Sequence, residues 1–127
     1  MQIDPRFKKG LELFNHKEYF ECHEVIEELW LETSSDDEYR DLYKGVIQAA
    51  AAIYQYERRI WSGARGLYKT SVGYLEKYEP ESLGLNVKKL MDEMKRFFAG
   101  CETWGEEGPA EPAGLASGPV LEYHFEK

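Results

Sequence analysis

Apolar residues recur at three- and four-residue spacing through most of the chain, and polar clusters interrupt them at intervals. Asp4 before Pro5 reads as an N-cap and a first helical position, and Phe7, Leu11 and Phe14 carry that helix to about Asn15. The short polar link Asn15-His16-Lys17 predicts that a second helix, about Glu18 to Glu32, folds back beside the first. From about Asp37 to Ile60 the pattern is apolar nearly all round, so a third helix is expected at the centre. There Gly45 falls on one stripe with Gln48, Ala52, Gln55 and Arg59, and that stripe is expected to face another helix.

Ser62 can cap a fourth helix in which Gly63, Leu67, Ser71, Tyr74, Leu75 and Tyr78 recur, ending near Glu79-Pro80. Asn86 can cap a fifth, whose Val87, Leu90, Met91, Met94, Phe97 and Phe98 form one stripe before Gly100. No stretch before residue 100 alternates as a strand does. The fold class is therefore all-α, a compact bundle of about five helices built from antiparallel helical hairpins. The helical domain is expected to span residues 1–100. Residues 101–127 form a Gly/Pro/Glu-rich C-terminal tail, and the closing VLEYHFEK regains an alternating apolar pattern. That tail is either disordered or docked as an extended arm on the body or on a second copy.

Composition narrows the function classes. With 24 acidic and 16 basic side chains the net charge is -8, which repels phosphate backbones and anionic lipid surfaces, so neither nucleic acid nor membrane is an expected partner. Cys22 and Cys101 have no Cys-x-x-Cys partner and read as free thiols of a reducing compartment. The N-terminus lacks an apolar signal region, and the run from Val46 to Tyr54 is too short to span a bilayer. A cytoplasmic protein is expected, with an unidentified small molecule or protein as partner and a homodimer as one arrangement.

Candidate chemistry concentrates in the second helix. On a wheel turning about 100° per residue, His23 and Glu27 fall among Tyr19, Phe20 and Trp30, Glu24 falls at the edge, and Glu21, Glu28 and Glu32 fall on a solvated side. A histidine and a glutamate facing a core need hydrogen-bond partners, because an unpaired buried charge costs several kcal/mol. A satisfied polar network that includes Gln48, Gln55, Tyr54 and Tyr74 is the plainest reading. Convergence of His23, Glu27 and Trp30 with Gln48, Gln55 and Arg59 would instead make a cleft between helices two and three, further lined by Tyr19, Gly45, Tyr54 and Gly63.

His23-Glu24-x-x-Glu27 lacks the second histidine of a His-Glu-x-x-His zinc site, and the Glu-x-x-His units of a di-iron bundle are missing. No cofactor is expected. Cys22 reads as a small hydrophobe, since a neighbouring helical residue points about 100° away from His23. The leading function is a small-ligand or protein interaction module with a buried polar centre of His23, Glu24, Glu27, Trp30 and Gln48. The alternative is an enzyme using His23 and Glu27 as an acid-base pair or as metal ligands on a small molecule.

FNHKEYFECHEVIEELW, YKGVIQAAAAIYQY, SGARGLYKTSVGYLEKYEP and LGL resemble, in order and spacing over about residues 11–98, the domain of unknown function family 309. The resemblance implies a compact all-helical fold found in small prokaryotic proteins, and no established activity. It also marks His23-Glu24, Glu27, Trp30, Gly45, Gln48, Gly63-Ala64 and Leu67 as family motif positions. By the same resemblance, histidine often stands at the place of Gln55, and Gly-Asn at the place of Arg59-Ile60.

Overall fold

The computed structural model describes residues 2–114 and 117–125. Met1, Leu115, Ala116, Glu126 and Lys127 lie outside the described residues, and the tail expectation falls partly on them. Five α-helices follow one another: α1 Pro5–Asn15, α2 Tyr19–Glu32, α3 Arg40–Glu57, α4 Trp61–Leu75 and α5 Val87–Phe97. The all-α expectation holds, with one addition. A two-residue hairpin, β1 Glu81–Ser82 against β2 Leu85–Asn86, precedes α5. Strands this short carry no alternation to read. Their turn places both Leu83 and Gly84 at positive φ, 49° and 81°, as a tight two-residue connection requires.

Caps fix the helix starts that the sequence marks. The Asp4 carboxylate accepts from the Arg6 amide at 2.8 Å, and the Asn86 side chain accepts from the Lys89 amide at 2.9 Å. Two helix ends close by a route that needs a left-handed residue. At the end of α1 Lys17 has φ 65°, its amide donates to the Phe14 carbonyl and the Glu18 amide to the Leu13 carbonyl. At the end of α3 Arg59 has φ 60°, its amide donates to the Tyr56 carbonyl and the Ile60 amide to the Gln55 carbonyl.

α3 is consequently shorter than its apolar pattern. Asp37 turns the chain by accepting from the Tyr39 amide at 2.8 Å, and the Arg59 closure stops the helix before Ile60. Ile60 is then the N-cap residue that opens α4, so Ser62 is inside that helix and does not cap it.

The helices α1, α2, α3 and α4 pack in sequence as antiparallel neighbours around a core that includes Phe7, Leu11, Phe14, Ile26, Leu42, Val46, Ala50 and Ile53. α3 and α4 share the most extensive contact. A Cβ on Gly45 would sit 2.6 Å from the Leu75 side chain, and the buried Ser71 hydroxyl donates to the Gly45 carbonyl at 2.7 Å. The Gly45 stripe thus faces α4.

Two further segments cover the helices. Tyr56, Trp61, Phe97, Phe98 and Trp104 form one aromatic cluster, on which residues 101–109 rest. Leu121 is buried, and its amide and carbonyl are both held by the Asn15 side-chain amide at 2.7 and 2.9 Å. The chain continues beside β2, where the Asn86 amide donates to the Glu122 carbonyl and Leu85 bridges Tyr123. Among the described residues no helix is long and apolar enough to cross a membrane.

Candidate functional site

The face of α2 that enters the core carries Tyr19, Cys22, Ile26 and Leu29. This is about one residue step, roughly 100°, from the face expected around His23. By spacing alone Phe20 and Trp30 read as core markers, but Phe20 is 42% exposed and Trp30 is only partly buried. Large rings with an exposed edge mark the rim of an interface as readily as its centre.

His23 and Glu27 therefore sit on a flank. Their side chains are 28% and 42% exposed and meet at 3.3 Å between Nε2 and Oε2, while Glu24 is exposed outright. Water competes for such a pair, which contributes at most about 1 kcal/mol. A buried His-Glu centre is not what this geometry provides.

The other cleft candidates separate into three places. Along the α2–α3 seam, the Phe20 ring lies 5.9 Å from the His23 ring and 5.3 Å from the Tyr54 ring. At its far end Trp30 is covered by the Arg40 guanidinium at 4.3 Å and the Lys44 ammonium at 4.2 Å. Arg40 also donates to the Thr33 carbonyl at 2.7 Å, so this cation serves the C-terminus of α2.

Gln48 belongs to the other side of α3. Its side-chain oxygen accepts from the Thr70 hydroxyl on α4, and Gln55 lies beside Gly63, whose added Cβ would be 3.9 Å from the Gln55 side chain. The polar stripe of α3 is turned toward α4 and does not converge on His23 and Glu27, because the two seams leave α3 on different sides. Arg59 leaves the stripe altogether. The helix has ended, so its wheel position no longer applies, and it lines a pocket with Tyr56, Glu57, Trp61 and residues 112–114.

A second pocket, of about 230 Å³, opens where α2 begins and α3 ends, and is lined by Lys17, Tyr19, Phe20, Glu21, Tyr54 and Glu57. Two of these, Tyr19 and Tyr54, were among the expected cleft residues. Tyr19 is 1% exposed, and its hydroxyl makes no hydrogen bond with the protein. Burial pushes this phenol well above the ordinary tyrosine value, with the negative charge of Glu57 adding to the effect, so the group stays a neutral hydroxyl. Glu57 is itself held above the usual carboxylate range, first by partial loss of hydration and then by repulsion from Glu21.

Glu21 and Glu57 were missed by periodicity. Glu21 reads as part of the solvated side of α2, and nothing in the spacing singles out Glu57. The available signal was the antiparallel hairpin itself, which brings the first turn of α2 beside the last turn of α3.

Cys22, next to this pocket wall, is buried, and burial pushes its thiol up to about 12. It packs as an apolar residue. Among the described residues no group of three or more histidine, cysteine, aspartate or glutamate side chains is placed to hold a metal ion.

Residues 7–67, from α1 to the first half of α4, match the model of the family described as Domain of unknown function (DUF309). This segment belongs to the DUF309 family. Uncharacterized protein YpuF of Bacillus subtilis (strain 168) is 36% identical over 89 residues, covering 68% of this chain and 51% of the relative. The chain thus spans about half the length of the curated relative it matches. The DUF309 segment contains the α2–α3 seam and the whole lining of the Tyr19 pocket, whereas Thr70, Ser71 and Leu75 of the α3–α4 seam lie beyond it. Of the residues that line the pocket with Arg59, those at 112–114 also lie outside it.

Proposed function

We propose that this chain is a small-ligand binding module whose site is the pocket between the first turn of α2 and the last turn of α3. One observation carries the reading: Tyr19 lines the pocket, and its hydroxyl is buried without a protein partner. Leaving a buried hydroxyl unpaired costs about 1–3 kcal/mol, and a phenylalanine in its place would avoid the cost. A ligand atom in the pocket supplies the missing partner, so the cost to the free protein becomes a contribution to binding.

The surroundings have the form of a ligand site, with aromatic walls from Phe20 and Tyr54 and a few charged groups at the mouth. His23 and Glu27 extend the same seam beyond Phe20 and form its outer lip.

A two-dimensional amide NMR screen of the full chain against small molecules tests this reading. Saturable shifts centred on Tyr19, Phe20, Tyr54 and Glu57 are expected. Shifts centred on Trp61 and Arg59, or none at millimolar ligand, contradict it.

A further inference from the structure

The charge and shape of this pocket narrow its ligand class, a step that rests on the pocket being a ligand site. Two carboxylates, Glu21 and Glu57, face one lysine, Lys17, among the lining residues, so the lining carries an excess negative charge. Arg58 is not among the lining residues. Its guanidinium hydrogen-bonds the Tyr54 hydroxyl at 3.0 Å and lies over that ring at 5.6 Å, on an exposed part of the surface.

Two like charges that line one pocket are costly where hydration is reduced, and a bound cation relieves them together. An anion in the same place would meet both carboxylates at once. A fully hydrated metal ion gains little from aromatic walls, and a metal that shed its water would need more oxygen ligands than two side chains offer.

An organic ammonium satisfies each feature. Its N–H groups donate to carboxylates and to a neutral phenol oxygen, and its methylene groups lie on aromatic rings. A primary ammonium has three donors, and the lining offers acceptors that include Glu21, Glu57 and the Tyr19 hydroxyl oxygen.

We propose that the pocket binds a primary alkylammonium group, held by Glu21, Glu57 and the Tyr19 hydroxyl, with its alkyl chain against Phe20 and Tyr54. The lip residues His23 and Glu27 then lie where a longer alkylamine would run, along the seam toward Trp30.

The test uses the full chain and four simple probes, n-butylammonium chloride, sodium butyrate, butan-1-ol and calcium chloride, read by amide NMR shifts at equal ionic strength. Butylammonium is expected to shift Phe20, Glu21 and Glu57 saturably, while butyrate does not. Glu57→Gln is expected to weaken this binding about tenfold, the loss of one charge-assisted hydrogen bond. Glu38→Gln, at the opposite end of α3, makes the same change in net charge and should leave the affinity unaltered.

Tighter binding of butyrate or butan-1-ol at the same residues would overturn the ammonium assignment and leave the ligand site standing. Saturable calcium binding at Glu21 and Glu57 with no response to butylammonium would also overturn it. An unchanged butylammonium affinity in Glu57→Gln would show that the carboxylates do not hold the group. If neither these probes nor the broader screen shifts the pocket, the ligand-site reading fails as well.

Discussion

Two hydroxyls, Ser71 and Tyr19, are each 1% exposed, and they are treated in opposite ways. Ser71 donates to the Gly45 carbonyl across the α3–α4 seam, where the missing side chain of Gly45 lets the helices approach. Tyr19 reaches a pocket at the α2–α3 seam and finds no protein partner. Both seams belong to the same central helix. The Gln55 side-chain oxygen, on the α4 side of α3, is likewise buried without a protein partner, so the contrast teaches how these two hydroxyls are completed and does not describe the whole of either seam.

The α3–α4 seam should be the more fragile to substitution. Gly45→Val places carbon atoms where Leu75 already stands and is expected to lower unfolding stability by about 2–3 kcal/mol in urea titration. Ser71→Ala removes a satisfied buried bond and should cost about 1 kcal/mol by the same measurement. If the second loss were absent, the contrast between the two hydroxyls would lose half its support.

The pocket should respond in the opposite direction. Glu57→Gln is expected to raise stability slightly at pH 7, by no more than about 0.5 kcal/mol because the carboxylate remains partly solvated. The sign follows from the raised Glu57 pKa. The folded chain binds this proton more tightly than the unfolded chain does, so ionisation draws stability down as pH rises from the ordinary glutamate value through the raised one. The gain of the variant over wild type should therefore vanish at low pH, where both are uncharged. A loss of stability at pH 7 would mean that Glu57 is bonded within the fold.

Much of the fold was legible because its signals are local. Asp4-Pro5 and Asn86 mark helix starts through bonds spanning two or three residues, and the Phe7-Leu11-Phe14 and Val87-Leu90-Met94 stripes enter the core as their spacing requires. The ends of α1 and α3 were less legible, since Lys17 and Arg59 occupy left-handed positions usually signalled by glycine. Glycine at the place of Arg59, as the family resemblance implies for other members, has this physical reason.

The site was legible only in part. Wheel geometry finds the face of a helix but weighs all aromatics as core, so Phe20 and Trp30 drew the apparent centre toward His23. The true core face was marked by Cys22, Ile26 and Leu29, smaller side chains that pack from every direction. Tyr19 and Tyr54 were recognised as lining residues. Their company with Glu21 and Glu57 was not, because it depends on how one helix end meets another and leaves no periodic trace.

The most direct measurement is the unfolding stability of Tyr19→Phe in amine-free buffer at neutral pH. Removing a hydroxyl with no partner should leave stability unchanged or raise it, by up to about 1 kcal/mol, while weakening butylammonium binding. A loss of more than about 1 kcal/mol would mean that the hydroxyl is bonded within the fold, and would contradict the account.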